Sequence, residues 1–311
     1  MAFLKLVPLL LILSLVFIPS YSVLAYSVPS CQCVAFRLDD IQDYWLNSVQ
    51  TKIIDTFQEK NASLTLGIIG NHIGQDPKIT DDIKSKLGKN PKLEIANHGW
   101  NHEDFTKFSR EEQSILMKNT NDKINSLFGF VPSVFIPPFN AINNDTMVAF
   151  LENNFQYISA DVIQDSPSFP INNGMVYHVP ETGETGKLVN NGTIWQHYNH
   201  QHIFVETVSS IQKYGYAVIV LHPQEFAIRI HSNYVNEVDK NQIQNLGLLL
   251  DDIKKSGMKI ILLNQIPLNS NNKPNPSWLD HVFSWYENGK ISDYQVLDNI
   301  NYLIDKKIIK L

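Results

Sequence analysis

The sequence predicts an α/β protein built on a parallel sheet. Short apolar segments alternate with segments of helical periodicity, and successive strands are about 30–40 residues apart. The residues suited to chemistry follow directly after the apolar segments, where a (β/α) barrel or an open doubly wound sheet places its active site. No GxGxxG fingerprint follows the first strand, which argues against a nucleotide-binding fold.

The individual elements follow from these patterns. The predicted strands are the apolar runs at residues 34–38, 64–69, 93–96, 134–136, 157–159, 217–221 and 260–263. The predicted helices lie at residues 45–60, 109–128, 144–153, 203–213 and 242–255. In the first helix apolar residues recur every four positions, and the second begins with a capping box from Ser109 to Glu112.

The N-terminus predicts a signal peptide over residues 1–25. Lys5 precedes an apolar run at 6–18, and cleavage is expected after Ala25. An uncleaved anchor is the alternative, although the run is shorter than the roughly 18–20 residues that usually span a membrane.

The rest of the chain divides into a main domain over residues 26–267, a polar linker over 268–276 and a small helical segment over 277–311. About 35 residues is too few to fold well alone. The C-terminal segment is therefore expected to pack on the main domain, or to contact a surface such as the cell envelope through Trp278 and Trp285.

Composition narrows the classes of partner. The net charge of −6 and pI near 5.9 leave no basic surface for phosphates, so no nucleic-acid partner is expected. The two cysteines, Cys31 and Cys33, are one residue apart, a spacing that strains a mutual disulfide. We expect two small residues entering the first strand; lipid modification of Cys31 and a redox or metal role are the alternatives.

Two short motifs suggest a metal site. Adjacent Asp39 and Asp40 end the first strand, and His98 and His102 follow the third. One carboxylate and both imidazoles can bind a divalent ion and leave a coordination position for water. The other carboxylate can then take a proton from that water.

Four motifs together resemble the polysaccharide deacetylase (NodB-homology) family, which is like carbohydrate esterase family 4. They are VAFRLDD at residues 34–40, HGWNH at 98–102, FIPPF at 135–139 and IVLH at 219–222. The resemblance covers about residues 32–265. It implies a distorted (β/α)₇ barrel that removes acetyl groups from N-acetylated sugars with zinc or a similar ion.

The resemblance also implies residue roles. Asp39 matches the catalytic base, and Asp40, His98 and His102 match the metal ligands. His222 matches the acid that protonates the leaving amine, a role that suits an imidazole of ordinary pKa near 6.5.

Contacts to the substrate are expected from Pro138 and Phe139, where a backbone N–H would serve as an oxyanion donor. Trp100 is expected to stack on a sugar ring or to pack in the wall. His72, after the second strand, either lines the pocket or lies on the surface.

The motifs also depart from the family pattern. Ile136 stands where the family has an arginine that holds the base. Arg37 is a candidate substitute, because residues two apart on a strand point the same way. Asp161 either orients His222 or is an ordinary loop acid, and Asp43 is expected to sit on its loop.

Further histidines and aromatic residues lie between the predicted strand at residues 157–159 and the fourth motif. His178, His197, His200 and His202 are expected to lie on a solvated loop, with a second metal site as the alternative. Trp195 and Tyr198 either stack on sugar or pack in the core.

We therefore expect an exported, metal-dependent hydrolase that removes N-acetyl groups from an amino-sugar polymer. It would be secreted or at the cell surface, and would act on an N-acetylated polysaccharide or another glycan. Zn²⁺ is the expected ion, with Co²⁺, Ni²⁺ and Fe²⁺ as alternatives. The other functions that fit are a non-catalytic glycan-binding envelope protein and a hydrolase of a non-sugar amide.

Overall fold

A computed structural model describes residues 31–267, except residues 90, 166–170, 173–175 and 191–193. The predicted signal peptide, linker and C-terminal helical segment lie outside the described residues. Within residues 31–267, no helix combines the length and the apolarity needed to cross a membrane.

The described residues form a curled, mostly parallel sheet of ten strands with helices packed against it. The strands are β1 (Cys33–Ile41), β2 (Leu64–Ile68), β3 (Leu93–Asn97), β4 (Val134–Phe135), β5 (Tyr157–Ile158), β6 (Ile171–Asn172), β7 (Tyr177–His178), β8 (Gly183–Glu184), β9 (Gly186–Val189), β10 (Ile194–His197), β11 (Ala217–Leu221), β12 (Ala227–Ile230), β13 (Asn233–Val238) and β14 (Lys259–Ile261). The helices are α1 (Asn47–Glu59), α2 (Pro77–Lys86), α3 (Arg110–Phe128), α4 (Asn144–Glu152), α5 (His200–Tyr214) and α6 (Lys240–Lys255).

The strand order is β6-β7-β5-β4-β3-β2-β1-β11-β8, with β14 beside the first half of β1. Only β6 and β7 pair antiparallel in this sheet, and β9–β10 and β12–β13 form two separate hairpins. The parallel α/β prediction is confirmed, and the carboxyl ends of β1, β2, β3, β4 and β11 lie at one edge.

The central strand β1 shows how the sheet divides the side chains. Val34, Phe36 and Leu38 are buried in the main core, where the Phe36 and Phe57 ring centroids are 5.2 Å apart. Ala35, on the opposite face, packs in a second cluster. Because side chains alternate along a strand, Arg37 and Asp39 share the face of Ala35. The outer face of β1 therefore holds the helices, and the inner face carries the polar residues.

Several elements differ from the sequence prediction. Helix α2 was not predicted, because only Ile79, Thr80 and Ile83 are buried along an otherwise polar segment. The two hairpins were missed because their strands are short and mostly exposed. Helix α5 begins three residues earlier than predicted, since the Asn199 side chain caps it by accepting from the His202 N–H.

Cys31 and Cys33 form a disulfide, which corrects the expectation that they are unbonded. The reason is the intervening residue: Gln32 has a φ of 45°, which brings the two Cα atoms to 5.1 Å. That separation is within the normal range for a disulfide. The bond lies where the chain enters β1.

Candidate active site

The adjacent carboxylates Asp39 and Asp40 reach the same site because β1 is irregular at its end. In a regular strand they would point to opposite faces. Here the pairing of β1 with β2 shifts register between Leu38 and Ile41, and Asp40 has a φ of 62°. This local turn is a bulge of the kind that redirects side chains near active sites.

Asp40 forms a compact group with the two motif histidines. The Nε2 atoms of His98 and His102 lie 3.4 and 3.1 Å from Asp40 Oδ1. One ligand atom from each residue lies within 4.8 Å of the other two, so the three could hold a single metal ion. The structure thus brings together the three residues expected to bind metal.

The two histidines are presented by the segment after β3. The Nδ1 atom of buried His98 is 2.8 Å from the Ile136 carbonyl, which fixes the ring and leaves Nε2 free to act as a ligand. The segment turns at Gly99, whose φ is 77°, and a Cβ there would be 3.1 Å from Pro138 Cγ. Glycine therefore suits both the backbone and the close approach of Pro138.

The charges of the group are strongly coupled. Burial raises the pKa of Asp40, but its contact with His98 and the charges of the nearby histidines outweigh burial and hold the pKa well below its usual range. Burial and the charge of His98 lower the pKa of His102 to about 4. Burial lowers the pKa of His98, but the two aspartates outweigh burial and raise it. At neutral pH Asp40 is therefore anionic and His102 is neutral, which are the states in which each can bind a metal ion.

Asp39, the expected base, is buried beside this group. A Cβ placed on Gly67 would be 3.2 Å from Asp39 Oδ1 and 3.4 Å from His98 Cβ, so both side chains border the same glycine of β2. Arg37 Nη2 lies 3.2 Å from Asp39 Oδ2. Arg37 is thus the arginine that contacts Asp39 in this chain, where the family has an arginine at the position of Ile136.

His222 follows β11 and its ring is held by a nearby carboxylate. Its backbone N–H donates to Glu225 Oε1 at 2.7 Å, and its Nδ1 lies 3.1 Å from the same oxygen. Burial lowers the pKa of His222, but the Glu225 carboxylate and the charges of the two adjacent aspartates outweigh burial and raise it to about 9. Trp195 is buried on one side of the ring, with centroids 5.2 Å apart.

Asp161 does not orient His222. Its Oδ1 accepts from the backbone N–H groups of Ile163 and Gln164, as in a local turn. Asp43 binds a different segment: its Oδ2 accepts from the N–H groups of Gln75 and Asp76, directly before α2. Asp161 and Asp43 therefore both hold backbone turns.

The remaining expected site residues differ in position. Phe139 is 67% exposed beside the metal group, and its ring centroid is 4.6 Å from that of His102. Pro138 is buried under the same turn. Trp100 lies against Gly70 near Thr120 of α3, so it packs between elements. His72 is exposed, and no contact within the described ranges joins it to the metal group.

The other histidines do not form a second metal site among the described residues. Buried His178 pairs with Asp165, His200 Nδ1 lies 2.7 Å from Asp252 of α6, and His202 pairs with Glu206. His200 and His202 belong to the first turn of α5, not to a loop as expected. Tyr198 lies against His202 with ring centroids 4.5 Å apart.

Two buried acids of the site, Glu181 and Glu225, are not among the residues that the sequence motifs predicted. Glu225 carried a local signal, because it lies three residues after His222 in a turn that begins with Pro223. Glu181 carried none: it contacts Arg37 from a position 144 residues further along the chain.

Comparison with known proteins agrees with this geometry. The model of the polysaccharide deacetylase family matches residues 27–158, which contain the first three motifs. This segment is similar to the polysaccharide deacetylase family. The resemblance derived from the motifs is confirmed.

Two curated relatives match this chain over only part of their own length. A peptidoglycan-N-acetylglucosamine deacetylase of Bacillus cereus is 26% identical over 129 residues, 42% of this chain and 44% of the relative. One of Listeria monocytogenes is 26% identical over 97 residues, 31% of this chain and 20% of the relative. The chain therefore spans less than half the length of these relatives.

Solved structures extend the likeness across the sheet. A peptidoglycan N-acetylglucosamine deacetylase superimposes with a TM-score of 0.52 at 18% identity, over 76% of this chain and 87% of the other. A carbohydrate esterase family 4 pseudoenzyme from Bacillus anthracis gives a TM-score of 0.50 at 13% identity, over 74% and 63% of the two chains. At these identities the likeness establishes the fold, and the predicted deacetylase barrel is confirmed.

Proposed function

We propose that the chain is an exported, metal-dependent hydrolase that removes N-acetyl groups from an amino-sugar polymer. The observation that carries the proposal is the convergence of a base, an acid and a ligand set at one sheet edge. Asp39 and His222 lie close enough to Asp40 and its histidines for their charges to act on one another.

The donor set fits a divalent cation. Asp40 Oδ1 is buried without a hydrogen bond of normal geometry, and it faces two imidazole nitrogens that also need a partner. A cation held by Asp40, His98 and His102 would satisfy all three. Two nitrogens and one oxygen suit Zn²⁺, and also Co²⁺, Ni²⁺ or Fe²⁺. When bound, the cation would polarise the acetamido carbonyl and lower the pKa of the attacking water.

The chain's own residues then move the protons. Asp39 takes a proton from the water while the water oxygen bonds to the carbonyl carbon. The C–N bond breaks, and the nitrogen takes a proton from His222. Because the pKa of His222 is about 9, this imidazole is protonated at neutral pH and can donate. The products are acetate and a free amine.

The substrate class follows from the family and its named relatives. Two kinds of relative act on peptidoglycan, as N-acetylglucosamine deacetylases and, in Bacillus subtilis, as an N-acetylmuramic acid deacetylase. An N-acetylated glycan outside the membrane agrees with the signal peptide predicted at residues 1–25. The paired base and acid favour catalysis over a binding-only role, which would need neither.

The direct test is release of acetate from N-acetylglucosamine oligomers by the purified chain. We expect acetate and free amine in equal amounts, loss of both after chelation, and recovery with Zn²⁺. Asp39→Asn should reduce the rate at least ~100-fold, because proton transfer by a placed base contributes about that much.

The matched control is Asp122→Asn, the same substitution at an exposed position of α3, which should leave the rate unchanged. Acetate release that survives both chelation and Asp39→Asn would refute the proposal. Metal binding near one equivalent without acetate from any glycan or simple amide would favour the glycan-binding alternative.

A further inference from the structure

We propose that Glu181 is a positioning residue for the candidate base, acting through Arg37 and Asn140. The proposal rests on the hydrolytic function above and adds a residue that none of the four motifs contains. Glu181 lies between β7 and β8, far from β1 in the chain, and reaches the inner face of the sheet.

Arg37 is held in place by hydrogen bonds to residues of three other segments. Its guanidinium is buried at 2% exposure, and Nη1 donates to the carbonyl and hydroxyl oxygens of Ser159. Nη2 donates to Glu181 Oε2 at 2.5 Å and to Asn140 Oδ1 at 3.0 Å. Its two hydrogens are therefore used by these residues, while the Asp39 carboxylate faces the same nitrogen as an ion pair. The direction in which Arg37 presents its charge to the base is set by Glu181 and Asn140.

Glu181 is held in turn by Arg37 and Asn140. Oε2 accepts from Arg37 and Oε1 accepts from Asn140 Nδ2 at 2.9 Å, so both carboxylate oxygens are used. Asn140 in turn bridges Arg37 and Glu181, which closes a three-membered ring of hydrogen bonds. A closed ring of this kind fixes the orientation of each member.

The burial of three charged groups, Arg37, Asp39 and Glu181, has a cost in stability. One buried guanidinium faces two buried carboxylates, Asp39 and Glu181, so the cluster is short of positive charge. Burial raises the pKa of Glu181 to about 7, against the opposing effect of Arg37. Stability alone would favour an apolar residue at such a position, whereas orientation of a catalytic group gives the buried acid a purpose.

The network extends to the turn that holds Phe139. Phe139 and Asn140 both have positive φ, 58° and 54°, a conformation that the surroundings must hold in place. Glu181 accepts a hydrogen bond from Asn140, so the same carboxylate orients the base through Arg37 and the Phe139 turn through Asn140.

The kinetic test uses Glu181→Gln, which keeps the shape of the side chain and removes its charge. We expect kcat for acetate release to fall about 10–100-fold, with KM and zinc affinity changed less than about threefold. The matched control is Glu237→Gln, which removes a charge from an exposed residue of β13 and should keep kcat within about twofold.

A second variant guards against misfolding. Asn140→Gly removes the bridging amide while allowing the positive φ, and should also lower kcat. If the two residues act as one unit, the double variant should lose less than the product of the two single losses. Strictly multiplicative losses would overturn the proposed ring.

A measurement without turnover separates this proposal from the proposed function. The chain has only three arginines, Arg37, Arg110 and Arg229, so their side-chain NMR signals can be assigned readily. Buried Arg37 should show resolved, slowly exchanging Nη hydrogens, and Glu181→Gln should speed their exchange at least ~tenfold.

Unchanged Arg37 exchange in Glu181→Gln would overturn the positioning role, whatever the activity. A wild-type chain that releases no acetate, yet shows this change in exchange, would refute the hydrolase proposal and leave the network intact. A fall in kcat equal to that of Glu237→Gln would also count against Glu181.

Discussion

At the scale of single residues, the site depends on which carboxylate faces each functional group. His222 pairs with Glu225 and not with Asp161, although the sequence left the latter open. Glu225 is itself held, since the Thr185 hydroxyl donates to its other oxygen. The imidazole therefore has a fixed orientation and a raised pKa; Glu225 fixes the orientation and, with the charges of Asp39 and Asp40, raises the pKa.

Glu225→Gln should move the alkaline limb of the rate profile to lower pH. In the proposed mechanism the protonated form of His222 is the active one, so activity should be lost as pH rises through its pKa near 9. Removing the Glu225 charge lowers that pKa, and the limb should shift down by about one pH unit or more. The measurement is kcat/KM against pH, with Glu206→Gln, the partner of His202, as control. An equal loss at every pH would show that Glu225 acts on structure alone.

At the scale of elements, the hairpin β9–β10 places a wall beside the acid. Gly186 pairs with His197 across the hairpin, and the Trp195 indole Nε1 occupies the space that a Cβ on Gly186 would need. The absent side chain thus leaves room for the Trp195 indole, whose ring contacts His222. The hairpin therefore contributes to the site through the packing of Trp195.

Gly186→Ala should therefore destabilise the protein and disturb the acid together. Its Cβ would also lie 2.6 Å from the Gln196 carbonyl oxygen, and such overpacking costs about 1–3 kcal/mol. Urea unfolding would measure the loss, and acetate release should fall with it. Gly183→Ala is the control, because a Cβ there meets nothing within 4 Å. Equal stability of the two variants would contradict the packing argument.

At the scale of the whole molecule, the buried residue Glu94 connects β2 and β3 with the segment that follows β14. Glu94 of β3 accepts from the Thr65 hydroxyl of β2 at 2.8 Å, and this hydroxyl accepts from the Leu263 N–H at 3.4 Å, just after β14. Burial raises the pKa of Glu94 to about 7, since these hydrogen bonds offset only part of the loss of water. The group lies away from the site and titrates at a pH where the protein is expected to work.

Stability should accordingly fall as pH rises from about 4.5 to about 7. Folding raises this pKa, so the folded state binds the proton more tightly and loses stability as the proton leaves. Glu94→Gln should remove this dependence and raise the unfolding free energy at pH 8 by roughly 1–3 kcal/mol, with little gain at pH 4.5. Thermal unfolding at the two pH values tests this, with exposed Glu237→Gln as control. A gain of equal size at both values would exclude ionisation of Glu94 as the cause.

Much of the architecture could be predicted because it depends on local patterns. Apolar runs such as 64–68 and 217–221 are buried on both faces, so they stand out as strands of a parallel sheet. The capping box at Ser109 fixed the start of α3. Where the apolar signal is weak, as in α2 and the two hairpins, prediction from the sequence failed.

By itself, the sequence determined the fold class and indicated the candidate metal ligands, base and acid, because these residues follow strand ends and strand ends share one edge. Tertiary structure decided what holds these groups. Asp40 reaches the site through a bulge, and Arg37 is oriented by Glu181 from across the sheet. Such partners depend on how distant strands are placed relative to one another, and spacing along the chain does not encode that placement.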